Sequence, residues 1–240
     1  MVPIYGRMPV VEALADPSVR VSLVLLARTA RGDTVEEIVR RAGERGVPVK
    51  RVAPEKVTRV SGNGRHDQGV VAEVEAPGLA ELDDWLASHS PRALLVLDSV
   101  TNPQNVGMIV RTATAAGLDG VVLPRAGAPD VGPLVVKASA GVAFRATILS
   151  CDTAVDGVRL LADAGARIVG MRAGAPSIFE GALPDRAAYV LGSEHGGVSR
   201  DVADLVHDWR SIPLANDVES LNVAVAAGVL AYEIRRSLSR

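Results

Sequence analysis

Three polar segments in the second half of the chain carry the residues best suited to chemistry. The first is DSVTNPQNVGMIVRTATAAG, in which Asn105 is expected to cap a helix and Arg111 to share a face with Gly107. A fixed guanidinium beside the open N–H groups of a helix end suits a phosphate group. An ordinary cap with an arginine salt bridge explains the same residues, so this segment alone leaves both interpretations open.

The second polar segment, VLGSEHGGVS, follows a continuous apolar run. Its glycines, Gly192 among them, allow a positive φ or a close approach of the backbone to a ligand, and Glu194 adds a carboxylate. The pattern is neither G-x-G-x-x-G nor a P-loop, so it predicts no dinucleotide or nucleoside triphosphate site. Ser193 and His195 lie two apart on a loop without a G-x-S-x-G motif, which argues against a hydrolase.

The third segment, ESLNVAVAAG, begins a run that is almost entirely apolar or small, as in a helix buried on all sides. Ser220 fits the N-cap of that helix. Asn222 lies in its first turn, where a buried carboxamide without partners costs roughly 1–3 kcal/mol. Asn222 must therefore either cap the helix or face a bound group.

The elements that must position these segments alternate between strand and helix after residue 93. Continuous apolar runs such as ALLVLDSV, GVVLP and AYVLG predict strands, and the intervening segments near 105–116, 131–141, 153–164, 199–206 and 220–236 predict helices. This alternation predicts an α/β fold with a parallel sheet that is covered on both faces. Ligands bind such sheets beyond the carboxyl ends of the strands, where the polar segments fall.

A break in composition at EAPGLAELDDWLASHSPR predicts two domains, 1–76 and 93–240, joined by a linker at 77–92 with a short polar helix. In the small α/β domain, DTVEEIVRRAGERG predicts an amphipathic helix with Asp33 as its N-cap. Net charge is +2 over residues 1–76 and −4 over the remainder. Any basic surface therefore lies on the first domain, where Arg59, Arg65 and His66 cluster as candidate RNA-binding residues or as a solvated turn.

Composition excludes several classes of protein. A 3% aromatic content argues against a surface that stacks many bases, and a net charge of −2 gives no strong electrostatic sign of a nucleic-acid partner. One cysteine, Cys151, permits no internal disulfide and suggests a reducing compartment. Without a signal peptide or an apolar run of membrane length, a cytoplasmic location with no membrane partner is expected. Four dispersed histidines predict no metal site.

Together, NPQNVGMIVRTA, LGSEHGGVS and IPLANDVESLNVAVAAGVLAYE resemble the three motifs of the SpoU (TrmH) branch of the SPOUT RNA methyltransferases. Three linked motifs in this order are a highly specific signal. The N-terminal part, with IYGRMPVVEAL and HDQGVVAEVE, is similar to the substrate-recognition domain of the branch that methylates guanosine ribose in 23S rRNA.

The resemblance implies methyl transfer from S-adenosylmethionine to a ribose 2′-hydroxyl of RNA, by a homodimer whose catalytic domain contains a deep trefoil knot. It implies two sets of site residues. The catalytic set is Asn105, Arg111, Glu194, Ser220 and Asn222. The cofactor-binding set is Gly192, Ile212, Asn216 and Leu221.

Two questions stay open at this level. The family arginine, Arg111 here, is proposed as the base that deprotonates the hydroxyl, but a guanidinium is a poor base. Arg111 is instead expected to anchor the adjacent phosphate and to orient the hydroxyl. For the target, a guanosine of 23S rRNA is favoured over tRNA, an antibiotic-resistance site in rRNA, or RNA binding without catalysis.

Overall fold

The computed structural model describes residues 1–17, 19–75, 78–194 and 196–239. Two compact units are formed, one by Met1–Pro77 with Val131–Arg145 and the other by Gly78–Asp130 with Ala146–Arg240. The predicted boundary between residues 76 and 77 lies outside the described residues. Among the described residues, no helix has the length and apolar character needed to cross a bilayer.

The first unit is a four-stranded sheet with helices. Its elements are β1 (Val2–Tyr5), α1 (Arg7–Ala15), β2 (Val21–Ala27), α2 (Asp33–Glu44), β3 (Val49–Val52), α3 (Pro54–Ser61) and β4 (Val70–Val74). The strand order is β1-β4-β2-β3, and only β2 and β3 run parallel. The N-cap of α2 is Gly32, so Asp33 is the first helical residue and not the predicted cap.

The second unit is built on a seven-stranded sheet in which each neighbouring pair runs parallel. Its strands are β5 (Ala80–Glu81), β6 (Ala93–Leu97), β7 (Gly120–Pro124), β8 (Ile148–Cys151), β9 (Arg167–Met171), β10 (Ala187–Leu191) and β11 (Asp208–Arg210), and its helices are α4 (Leu82–Leu86), α5 (Pro103–Ala116), α7 (Ala154–Asp163), α8 (Arg200–Ala203) and α9 (Val223–Leu238). The order is β11-β9-β10-β6-β7-β8-β5. This confirms the α/β class with a parallel sheet, while the trefoil knot stays a prediction.

Burial on both faces explains the continuous apolar strands. Alternate strand residues, such as Val96 and Val190, pack with Val158 and Leu161 of α7 in one cluster. The residues between them are buried as well, and α5 packs against β7. A strand with a covered face on each side has no polar face to present, so no alternation of polar and apolar residues is seen.

Two stretches differ from the predicted domain organisation. Residues 80–86, predicted as part of a linker, form β5 and α4, because Ala80 and Glu81 pair with β8 and Leu82 is fully buried. The helix predicted at 131–141 is shorter, α6 (Pro133–Ala138), and is followed by a 3₁₀ turn, Val142–Phe144. This segment packs on β1 in the first unit and not in the larger domain to which it was assigned.

Candidate active site

The first polar segment places Asn105 inside the first turn of α5. The N-cap is Asn102, whose side-chain oxygen accepts a hydrogen bond from the Gln104 N–H at 2.9 Å, and Pro103 follows as the first helical residue. The predicted cap at Asn105 is therefore wrong by three residues. Freed from capping, Asn105 is buried, at 4% exposure, and its side chain is available for other contacts.

The glycine-rich segment after β10 closes on itself. The Ser193 N–H donates to the Gly197 carbonyl at 3.0 Å, and the Gly197 N–H donates back to Ser193 at 2.9 Å. A Cβ at Gly192 would lie 1.9 Å from the Gly197 carbonyl carbon, whereas Gly197 itself has a φ of +62°. Glycine is thus required at position 192 by the closure of the turn itself. The sequence predicted instead that the backbone there approaches a ligand.

Asp98 connects this turn to the neighbouring strand. It lies directly after β6, is buried, and accepts a hydrogen bond from the Ser199 N–H at 2.6 Å. Its own N–H donates to the Leu191 carbonyl at the end of β10. Both ends of the glycine-rich turn are therefore attached to the carboxyl end of the sheet.

Asn222 answers the question that the third segment raised, although it is exposed and not buried as expected. It is the N-cap of α9, where its Oδ1 accepts from the N–H groups of Ala224 and Val225 at 3.0 and 3.3 Å. Ser220, predicted as the cap, lies two residues earlier. The cap uses only the oxygen of the carboxamide, so the Nδ2 group is free to donate elsewhere.

The three segments meet in a network of side chains. The Asn222 Nδ2 group donates to Oε1 of Glu194 at 2.6 Å and to Oδ1 of Asn105 at 3.1 Å. The Nδ2 group of Asn105 donates to the same Glu194 oxygen at 3.0 Å. The packing of α5 against α9 brings the two helix starts together, and the glycine-rich turn supplies the carboxylate. Three residues that are far apart in the chain thus form one polar cluster.

A cleft of about 200 Å³ lies beside this cluster, beyond the ends of β9, β10 and β11. Of the residues predicted from the sequence, those that line it are Gly192, Glu194, Ile212, Ser220 and Leu221. Its other walls are mainly apolar, with Leu191, Leu214 and Val223 among them. A concave apolar surface with a few convergent polar groups is typical of a small-molecule site.

Three residues that line this cleft have backbone N–H groups without an acceptor among the described residues. Ile212, Leu214 and Leu221 lie outside the helices and strands, and their N–H groups donate to no atom of the residues that the structure describes. Donors of this kind recognise the edge of a heterocyclic base or a carboxylate without any side chain. Two of the three residues, Ile212 and Leu221, were predicted through the family motif.

Four residues of the predicted site are not among those that line the cleft: Asn105 and Asn222, which belong to the polar cluster, and Arg111 and Asn216. Arg111 is exposed on α5, and its side chain makes no hydrogen bond or ion pair with the described residues. Asn216 is exposed and has a left-handed backbone with a φ of +57°. His195 lies outside the described residues.

The candidate RNA-binding residues belong to the first unit. Arg59 lies on α3, Arg65 and His66 lie in the turn before β4, and all three are exposed. The turn is held by buried Asp67, which accepts hydrogen bonds from Thr58, Ser61 and the Gly69 N–H. Asp67 is therefore engaged in hydrogen bonds within the turn, whereas the side chains of Arg59, Arg65 and His66 are exposed.

Two charged residues of the cleft, Arg172 and Glu219, were not predicted from the sequence. Arg172 directly follows a predicted strand, so the rule that ligands bind beyond carboxyl ends could have found it. No group of three or more histidine, cysteine, aspartate or glutamate side chains able to hold a metal ion occurs in the described parts of the chain.

Comparisons with known proteins fit this arrangement. Residues 92–232 match the model of the SpoU rRNA Methylase family, and residues 3–80 match that of an RNA 2′-O ribose methyltransferase substrate-binding domain. The chain belongs to the SpoU rRNA methylase family. As a SpoU-family member it is an RNA methyltransferase.

Individual relatives cover nearly the whole chain. A Mycolicibacterium gilvum protein, called an uncharacterized tRNA/rRNA methyltransferase, is 35% identical, with 97% of this chain and 76% of the relative covered. An AdoMet-bound rRNA methyltransferase from Sinorhizobium meliloti is 25% identical with a TM-score of 0.78, over 99% of this chain and 87% of that structure.

A third similarity is confined to part of the chain. A structure solved to explain 2-OH methylation of C/U34 on tRNA is 29% identical with a TM-score of 0.55. It covers 63% of this chain and 99% of that structure. The solved structures that are similar to this chain therefore include one named for rRNA and one named for tRNA.

Proposed function

We propose that this SpoU-family chain transfers a methyl group from S-adenosylmethionine to a ribose 2′-hydroxyl in RNA, with a guanosine of 23S rRNA as its target. The observation that carries the proposal is the convergence of Asn105, Glu194 and Asn222 beside the cleft at the carboxyl ends of the strands. The match of residues 3–80 to a ribose 2′-O substrate-binding domain supports the ribose hydroxyl as the acceptor.

The residues of the cleft suit this cofactor. The free N–H groups of Ile212, Leu214 and Leu221 can bind the adenine edge and the polar end of the methionine part, while the apolar walls pack on the rings. When bound, S-adenosylmethionine supplies a methyl group that its sulfonium already makes electrophilic. The protein therefore has mainly to hold the acceptor oxygen in line with that methyl group.

The polar cluster is the proposed holder of the ribose. The single Glu194 oxygen that accepts from both asparagines is fixed in place, and the second carboxylate oxygen is left to accept from a ribose hydroxyl. Ser220 borders the cleft two residues before Asn222 and can add a further hydroxyl contact. These groups position the acceptor. In the proposed step the hydroxyl loses its proton to solvent water as the bond between the methyl group and the sulfonium breaks, so none of these side chains needs to change its own charge.

Arg111 is proposed to act on the RNA from outside the cleft of its own chain. An exposed guanidinium that has no ion pair with the described residues suits a phosphate, and a guanidinium is a poor general base. We propose a homodimer that uses the exposed apolar residues of α5 and α9, namely Met108, Val225 and Tyr232. In such a dimer Arg111 can serve the site of either chain.

This role of Arg111 can be tested with two inactive variants. Arg111→Ala is expected to retain affinity for S-adenosylmethionine but to lose methyl transfer, whereas Asn222→Ala disables the polar cluster. If each site uses Arg111 of the other chain, co-expression of the two variants restores activity in the mixed dimers. Unchanged methyl transfer by Arg111→Ala would refute both the anchoring role and the role as a base.

The proposed reaction is tested by mapping ribose methylation in ribosomal RNA and tRNA incubated with the protein and labelled S-adenosylmethionine. A new 2′-O-methylguanosine in 23S rRNA is expected. Label found only on a base would overturn ribose methylation, and label found only in tRNA would overturn the rRNA target but keep the reaction.

A tRNA substrate is the second candidate, because a relative that covers 63% of this chain was solved for 2-OH methylation on tRNA. That similarity does not extend over the whole chain, whereas the match to the substrate-binding domain begins at residue 3. The first unit is therefore the part that separates the two candidates. Its exposed Arg59, Arg65 and His66 are the proposed contacts to RNA phosphates.

A further inference from the structure

Arg172 lines the cleft but has no part in the proposed reaction so far. It directly follows β9, and its guanidinium carbon lies 4.4 Å from the centroid of the Trp209 ring on β11. Trp209 in turn packs on Gly170, where a Cβ would come within 2.5 Å of the indole. A guanidinium stacked on a fixed aromatic face loses little further freedom when it binds a ligand. The stacking on Trp209 thus fixes the Arg172 guanidinium beside the cleft.

No carboxylate neutralises Arg172 within the described residues. The first residue of the same strand, Arg167, pairs with Asp208, but the side chain of Arg172 has neither an ion pair nor a hydrogen bond to any described residue. The stacked indole leaves the guanidinium donors unused. They remain available to an anion that enters the cleft.

The charges of the cleft complement one particular small molecule. Its charged side chains are Arg172, Glu194 and Glu219, that is, one cation and two carboxylates. At neutral pH S-adenosylmethionine carries the opposite set, namely a sulfonium, an ammonium and one carboxylate. Resting on the proposed function, we infer that Arg172, positioned by Trp209, binds the carboxylate of S-adenosylmethionine.

An RNA phosphate could satisfy the same guanidinium, so the test separates the two anions. The ligand pair is S-adenosylmethionine and its decarboxylated form, which lacks only the carboxylate. Calorimetry measures both affinities for the wild-type protein, for Arg172→Met, and for Arg159→Met. Arg159 is a matched control, because it is an exposed arginine on α7 that does not line the cleft.

The wild-type protein is expected to bind S-adenosylmethionine about tenfold or more tightly than the decarboxylated form. In Arg172→Met this preference disappears, because only the affinity for S-adenosylmethionine falls, and in Arg159→Met the preference is kept. An equal loss for both ligands, an unchanged ratio, or a wild-type protein without any preference would overturn the inference.

Two further outcomes distinguish the inference from its premise. If Arg172→Met binds both cofactor forms like the wild type but binds a 23S rRNA transcript more weakly in filter assays, the anion is a phosphate and the inference is wrong. If the wild-type protein binds neither cofactor form, the proposed function itself fails.

Trp209 is a positioning residue in this scheme, and the ligand ratio tests it separately. Trp209→Phe keeps an aromatic face and should keep most of the preference for the carboxylate form. Trp209→Leu removes that face and should reduce the preference. General destabilisation lowers both affinities together, so it does not change the ratio. A ratio that is the same in the Phe and Leu variants would show that the stacking does not position Arg172.

Discussion

At the scale of single residues, Asn222 joins structure to function through the two ends of one carboxamide. Its oxygen caps α9, and its nitrogen donates to Glu194 and Asn105. Because the cap fixes which end faces the helix, the NH₂ group must face the carboxylate. The orientation of the network is therefore set by the backbone N–H groups of Ala224 and Val225. These groups point to one acceptor only once α9 has formed.

Serine and alanine at position 222 separate these two roles. Asn222→Ser keeps a capping oxygen and should stay within about 0.5 kcal/mol of the wild-type free energy of unfolding, but its short side chain cannot donate to Glu194. Methyl transfer should fall at least about tenfold, the cost of one charge-assisted hydrogen bond. Asn222→Ala should lose activity and also about 1 kcal/mol of stability. Urea unfolding and methyl-transfer assays measure both, and an active Ser variant would contradict the second role.

Cys151 offers a pH-dependent readout of burial at the end of β8. Its thiol donates to the Thr153 carbonyl and faces Gly157, and burial raises its pKa from 9.0 to about 11. At pH 8 alkylation by iodoacetamide should be about 100-fold slower in the folded protein than in urea, because the thiolate is the reactive form. A thiol with a raised folded pKa favours folding below pH 9 and loses that contribution as the pH rises toward 11. Equal alkylation rates would contradict this, and Cys151→Ser controls for labelling elsewhere.

At the scale of elements, the glycine-rich turn shows that a glycine lining a cleft can be required by the closure of its own turn. Gly192 faces the backbone of Gly197 across the paired turn, and Asp98 holds the following residues to β6. The turn thereby presents Glu194 to the asparagines from a closed and doubly anchored loop.

Neighbouring glycines allow a matched test of this closure. Gly192→Ala must open the turn, because its Cβ would lie 1.9 Å from backbone, and we expect a loss of roughly 2 kcal/mol of stability and of most cofactor affinity. Gly196→Ala meets only the Ser193 hydroxyl at 3.1 Å and should be nearly neutral. Scanning calorimetry and cofactor titration measure the two effects. Equal behaviour of the two variants would show that the closure of the turn does not matter.

At the scale of the whole molecule, the first unit is assembled from two separate stretches of chain. Residues 131–145 lie in the sequence between β7 and β8 of the large sheet, yet α6 packs on β1, and the Lys137 ammonium lies 5.2 Å from the centroid of the Tyr5 ring. Val135 and Val136 are fully buried there. The core of the small unit is thus completed by a segment that the sheet of the large unit supplies.

Hydrogen exchange on the intact chain can test this assignment. Val135→Ala should destabilise by about 2 kcal/mol and should weaken the protection of amides in β1, while those of β6 and β10 keep theirs. Leu134→Ala, at a position with 43% exposure, is the matched control and should change little. Loss of protection confined to β6 and β10 would place the segment in the other unit.

Particular residues show how far the sequence predicts this structure. The meeting of Asn105, Glu194 and Asn222 was predictable, because parallel strands deliver their following loops to one edge of the sheet. Both helix starts near the site offered two capping residues within four positions, Asn102 and Asn105 in one and Ser220 and Asn222 in the other, and propensity does not choose between them. The absence of Arg111 and Asn216 from the cleft lining was not predictable, because a motif lists residues without saying which way they face.

The domain assignment exposes a different limit. The apolar pattern of residues 131–141 predicts a helix correctly but does not say which partner covers its buried face. The same holds for β5, whose two residues become a strand only because β8 offers an unpaired edge. Long-range pairing of this kind follows from the assembled fold and not from local preference.

The two-part construction of the first unit has a consequence for anyone who wishes to retarget this enzyme. If only the amino-terminal segment of the first unit is replaced by that of a relative, the chimera combines a new β1 with the original residues 131–145, which pack on it. A chimera built at both junctions together should express better than one made by a single crossover. Recombination among natural homologues would meet the same barrier.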